Sequence, residues 1–155
     1  MWRIRRDHIL LLVAVGLLMI PRAVSAQDSS RRVLVPGIRV GTPEQVAVGG
    51  GLLWIQSSGI DHFTAIGLFA EGGVAGARMG VGFANVSPGP AGFQLRTSIM
   101  RTWGEPWSVG PNQTFVGAEV RLTILVTLSA GYFLRLNGAS PGDARHFSFG
   151  IGIGL

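Results

Sequence analysis

From Arg145 to Leu155 the chain reads R-H-F-S-F-G-I-G-I-G-L. Every second residue from Phe147 onward is large and apolar: Phe147, Phe149, Ile151, Ile153 and Leu155. The alternate positions are His146, Ser148, Gly150, Gly152 and Gly154. A β-strand sends successive side chains to opposite faces, so one face here is hydrocarbon and the other is nearly bare. A soluble half-buried strand would set charged or polar groups opposite its apolar row. Glycine and serine in those places suit a strand whose greasy face meets lipid and whose small face lines a narrow barrel interior.

The first 26 residues have a different character. Arg3, Arg5 and Arg6 precede an apolar run of 12 residues, Ile9 to Ile20, and Pro21 leads to Val24-Ser25-Ala26. A bilayer-spanning helix needs roughly 20 apolar residues. The run is therefore read as a secretory signal peptide, 1–26, cleaved after Ala26, with 27–155 as the mature domain. No cysteine is present, which excludes a lipoprotein anchor and leaves no disulfide to stabilise an exported fold.

Removing the leader changes the charge. Its four Arg and one Asp carry +3 of the formal +5, leaving +2 on the mature chain. Apart from Arg31-Arg32, the mature arginines stand singly rather than in a basic stripe, so a nucleic-acid partner is not expected. Of the 24 glycines, all but Gly16 lie beyond the leader, many inside strand-like runs. Each interior glycine costs a helix about 1 kcal/mol relative to alanine, so helices are not expected there.

The mature chain divides into eight strand candidates: 33–40, 44–56, 61–70, 76–86, 91–102, 113–123, 126–136 and 145–155. Most approach the length expected of a tilted membrane strand, about 9–11 residues. The first is weakened by Pro36 and Gly37, and dropping it would leave an odd number, which is disfavoured for single-chain bacterial barrels. Turns are expected at Ser57-Ser58-Gly59, Glu71-Gly72-Gly73, Ser87-Pro88-Gly89-Pro90 and Ile124-Leu125. The 24 residues from Gln113 to Leu136 are too long for one strand, which is why a turn is placed inside them. If both termini lie in the periplasm, the longest connections, 103–112 and 137–144, fall outside, as short-turn, long-loop asymmetry requires.

The leader, the alternating glycine and apolar strands, and the terminal F-S-F-G-I-G-I-G-L resemble small bacterial outer-membrane β-barrels of the OmpA/OmpX kind. The resemblance implies an all-β, eight-stranded antiparallel up-and-down transmembrane barrel in the outer membrane. It implies a monomer whose partners are outer-membrane lipid, lipopolysaccharide and the barrel-assembly machinery. No cofactor or metal is expected. The role it suggests is non-enzymatic, in structure, adhesion or envelope interaction.

The polar residues of the inward face are the candidate site. Arg78, Gln94, Arg96, Glu119, Arg121, Arg135 and His146 share the small-residue face and are expected to form a network that plugs the lumen. Charges inside so narrow a barrel must be paired or hydrated. A porin-like polar conduit is the other possibility for the same residues. Trp103 and Trp107, in the 103–112 loop, are candidate extracellular contacts or interfacial anchors. Asp61, His62 and Glu71 lie near strand ends without metal-ligand spacing.

Two alternatives remain. Lipid A deacylases are similar in using a His and a Ser two residues apart on one strand, as in His146 and Ser148. Such a serine needs a base in reach and an orienting acid, which Glu119 would have to supply from within the barrel. The third reading is a soluble periplasmic lipid-binding β-barrel with its apolar faces turned inward.

Overall fold

A computed structural model describes residues 32–58, 63–86, 91–138 and 144–154. The expected signal peptide, Asp61, His62, the 87–90 turn, most of the 137–144 loop and Leu155 lie outside the described residues.

Eight antiparallel strands follow one another in chain order and close into a barrel: β1 (Arg32–Gly41), β2 (Gln45–Ser58), β3 (Phe63–Gly73), β4 (Gly76–Val86), β5 (Ala91–Thr102), β6 (Thr114–Ile124), β7 (Val126–Asn137) and β8 (Arg145–Gly154). The weak first candidate is a full strand. Pro36 is accommodated because β1 is the closing strand. It pairs with β2 along its whole length but with β8 only over Gly37–Gly41 against Gly150–Gly154. Beyond that short seam, Thr42 N–H donates to the Phe149 carbonyl at 2.8 Å, and Phe149 N–H donates to Thr42 Oγ1 at 3.0 Å.

Two turns differ from expectation. β2 runs through Ser57 and Ser58, and a bulge between Ile55 and Ser57 takes up the extra residue against β3. Glu71, Gly72 and Gly73 continue β3, and the chain reverses at Val74-Ala75 instead. The turn between β6 and β7 is a single residue, Leu125, flanked by the pair Ile124 and Val126.

An even strand number brings both ends of the chain to one end of the barrel. The other, which we call the loop end, carries the connections 42–44, 74–75, 103–113 and 138–144.

Alternation decides which side chains go where. Phe149 is 59% exposed and Ile153 72%, and large apolar residues line the outside of every other strand as well, among them Leu34, Leu52, Ile66, Leu68, Met79, Leu95, Val120 and Leu128. The inward rows hold the charged residues. Strand glycines other than Gly50 and Gly72 also sit on inward rows, and their bare Cα atoms leave room for long side chains. At Gly150, a Cβ would lie 2.7 Å from Arg39 Nη1 and 2.8 Å from Ser129 Oγ, so any side chain there would displace the Arg39 guanidinium.

The inward face is not wholly polar. Leu53, Ala65, Phe69 and Ala84 form one buried cluster, and Met100, Phe115 and Phe133 form another. A strict rule of apolar out and polar in misses these residues. They provide the surfaces against which the guanidinium groups lie.

Candidate functional site

The interior contains a continuous network of buried ions. Among the described residues it comprises Arg39, Arg78, Arg96 and Arg121 with Glu44, Glu71 and Glu119. None is more than 8% exposed. Removing an ion from water costs several kcal/mol even after relaxation, so groups this deep persist only if each is paired and hydrogen-bonded.

Three carboxylates organise the pairs. Glu44, fully buried in the β1–β2 turn, takes Arg78 on both oxygens, Nε at 2.6 Å and Nη2 at 2.9 Å. Its Oε2 also accepts from Arg39 Nη2 at 2.7 Å. Glu119, on β6, bridges Arg78 and Arg121. Glu71, on β3, meets Arg39 at 3.2 Å, Arg96 at 3.0 Å and Arg121 at 2.5 Å. Every acid thus serves two or more arginines, which ties five strands and one turn across the lumen.

Apolar groups complete the packing. The Arg96 guanidinium lies 3.7 Å from the centre of the Phe69 ring, and that of Arg78 lies 5.0 Å from the Phe133 ring. A guanidinium stacked on an aromatic face is held by the ring quadrupole, worth about 2 kcal/mol or more where water is excluded. Gln94 Oε1 accepts from Arg96 Nε at 2.8 Å. Two voids touch the plug, one beside Arg39 and Arg121 and one beside Arg78 and Arg96, each about 10 Å³. That is about the space of one water molecule.

The loop end is covered from above. The 103–113 connection crosses the short turns of β1–β2 and β3–β4 and bonds to both. Trp107 N–H donates to the Pro43 carbonyl at 3.2 Å, and Gln45 Nε2 donates to the Glu105 carbonyl at 2.5 Å. Trp103 donates twice, from N–H to the Ala75 carbonyl and from Nε1 to the Val74 carbonyl, both at 3.0 Å. Thr102 Oγ1 fixes the base of the loop, donating to the Gly110 carbonyl at 2.9 Å and accepting from Gln113 N–H at 3.1 Å. Both tryptophans keep their rings partly exposed.

Of the residues singled out in the sequence, Arg78, Gln94, Arg96, Glu119 and Arg121 meet in this network. Arg135 is on the inward row of β7, half-buried and opposite Phe115, outside this network. His146 is buried with its ring 5.9 Å from that of Phe115, and its Nε2 has no hydrogen-bond partner. Arg39, Glu44 and Glu71 are the members that sequence reasoning missed. In sequence, Glu71 reads as a turn residue and Glu44 as the start of a strand. The one available signal was arithmetic: four inward arginines around a single Glu119 needed more acid.

Ser148 is also part of the plug. It is buried, donates to the Thr42 carbonyl at 2.5 Å and accepts from Arg78 Nη2 at 3.1 Å. Its hydroxyl proton is thereby committed to a backbone carbonyl, and no hydrogen bond joins it to His146.

On the outside, the belt carries an apolar depression of about 950 Å³ spanning β1 to β6, lined among others by Leu34, Gly50, Leu68, Ala70, Met79 and Ile99. No protein-family model, curated protein or solved structure matches the chain.

Proposed function

We propose that this chain is a non-enzymatic outer-membrane β-barrel with a structural, adhesive or envelope-interaction role. The observation that carries the reading is the inversion of side-chain polarity. Four arginines and three glutamates are buried inside the barrel, while Phe149, Ile151, Ile153 and their counterparts on the other strands face outward. In water that arrangement would expose a continuous apolar belt far larger than the few hundred Å² a soluble monomer tolerates. In a bilayer it is the stable one, since a closed barrel satisfies every backbone group in the absence of water.

Lipid and lipopolysaccharide are the partners that the belt suits, and the barrel-assembly machinery is the partner that its folding would need. The network, packed against Phe69 and Phe133, makes a plug and not a conduit. The partly exposed Trp103 and Trp107 on the loop above it make that end the contact surface. The engagement of Ser148 with Thr42 and Arg78 favours a packing role for that serine over a nucleophilic one.

Fractionation of expressing cells tests the location. The mature chain should be extracted from envelopes only with detergent and should migrate differently before and after boiling. Recovery in the aqueous phase without detergent would defeat the membrane reading. For the absence of catalysis, Ser148→Ala should leave lipid A acylation unchanged, and an altered acylation pattern would reinstate the hydrolase.

A further inference from the structure

The plug has more positive charge than its own acids neutralise. Among the described residues, four buried guanidinium groups face three buried carboxylates. The surplus coincides with a set of hydrogen-bonding groups that lack partners. Arg39 Nη1, Arg121 Nη2, Gln94 Nε2 and Ser129 Oγ are all buried and accept or donate no hydrogen bond. Arg121 Nη2 is within ion-pair distance of Glu71, without the alignment of a hydrogen bond.

The residues that carry these four atoms are neighbours through the sheet register or across the lumen. In the sheet register Gln94 is opposite Arg121, Arg121 is opposite Ser129, and Ser129 is opposite Gly150. Arg39 reaches Ser129 from β1, since its Nη1 and Ser129 Oγ flank the point where Gly150 would carry a Cβ. A void of about 10 Å³ is lined by Arg39 and Arg121 of this set, with Glu71 and Thr127 beside them. Three of the four groups are donors that cannot accept. A water molecule can accept only two hydrogen bonds and carries no charge. A spherical anion accepts from all directions and cancels the surplus.

We propose that the barrel interior binds one small monovalent anion of the halide class between Arg39, Gln94, Arg121 and Ser129. The site lies on the side of the plug away from the 103–113 loop, and the anion is enclosed as the barrel closes. It completes the charge balance of the plug, so folding and anion binding are linked. Stability then rises with free halide, and the folding equilibrium constant gains about tenfold for each tenfold increase in halide above the dissociation constant. The inference rests on the interior geometry and not on the barrel's cellular location.

The mature chain, refolded into detergent micelles in chloride, bromide or gluconate at matched ionic strength, tests this. Gluconate is too large for the site. The urea midpoint should be higher in both halides than in gluconate, and bromide should give an anomalous-scattering peak between Arg39 and Arg121 in crystals. Ser129→Asp, which supplies a tethered carboxylate at the same place, should fold as well in gluconate as the parent does in chloride and lose its halide dependence. Equal parental midpoints in all three salts, or no bromide peak in the interior, would overturn the proposal. So would a Ser129→Asp protein that still responds to halide. If that variant does not fold, the parental midpoints and the bromide map decide alone.

Discussion

Glu44 and Arg78 meet across the loop end of the barrel, a turn residue gripping a strand residue through both carboxylate oxygens, at 2.6 and 2.9 Å. Sequence separation is no guide to this pair. The β1–β2 turn folds inward, so the acid that follows Pro43 sits in the lumen and not in solvent, and Arg78 spans from it to Glu119. The plug is therefore anchored by a turn, and a wall of eight strands closes around a charged centre.

Removing one partner should cost more than removing several. Arg78→Met leaves Glu44 and Glu119 buried without their shared cation and should destabilise the barrel by about 3–5 kcal/mol. Replacing the whole ionic set, Arg39, Glu44, Glu71, Arg78, Arg96, Glu119 and Arg121, by apolar residues of similar volume should cost less than that single change. Urea unfolding of the parent and the two variants in detergent micelles checks the ordering, and a multiple variant less stable than Arg78→Met would contradict it.

The outward row should tolerate charge in proportion to depth. Leu95→Arg, near the middle of β5, should lower stability in a bilayer by about 2–4 kcal/mol, whereas Leu136→Arg, at the loop end, should cost about 0–1 kcal/mol. Both side chains are exposed, so a barrel in water would show neither loss. Folding titrations into liposomes distinguish the two environments.

Covering of the plug by the 103–113 loop should depend on Thr102. Thr102→Val removes the hydroxyl that holds the Gly110 carbonyl and the Gln113 N–H while keeping the shape. Losing these buried partners should cost about 1–3 kcal/mol locally. Hydrogen exchange should quicken at Asn112 and Gln113, with β2 and β3 unchanged.

Leu125 occupies the one-residue turn between β6 and β7 with φ of +69°, a conformation unfavourable to a branched side chain. Leu125→Gly should relieve that strain and raise the urea midpoint, a gain of about 1 kcal/mol. Leu125→Val should lower it. The side chain is exposed, so packing losses do not obscure the comparison.

Conductance tests the plug. In planar bilayers the parent should hold no steady current, because the voids beside the network are each about 10 Å³. Arg96→Ala combined with Phe69→Ala removes a stacked pair spanning β3 and β5 and should admit ions. A conducting parent would require the interior to be wet.

Where alternation was clean, as in β4 to β8, strand limits and facing directions could be read directly. A period of two leaves no ambiguity once one side chain is placed. β1 and β2 were harder. Pro36, Gly37 and the Gly49-Gly50-Gly51 run carry no side-chain contrast, so the inward direction of Arg39 had no visible sign. Glu71 was misplaced for a related reason, because Gly72-Gly73 resembles a turn in sequence but here extends β3 by the residues that bring Glu71 inside.

By itself the order of residues determined a closed β architecture with greasy and small faces, because local backbone geometry converts a two-residue repeat into two surfaces. Only the tertiary structure decided which acids met which arginines. That outcome depends on strand stagger, on an inward-folding turn at Glu44 and on the clearance at Gly150, all set by closure of the whole ring. A charge network is a property of distances across the lumen, and no local pattern encodes them.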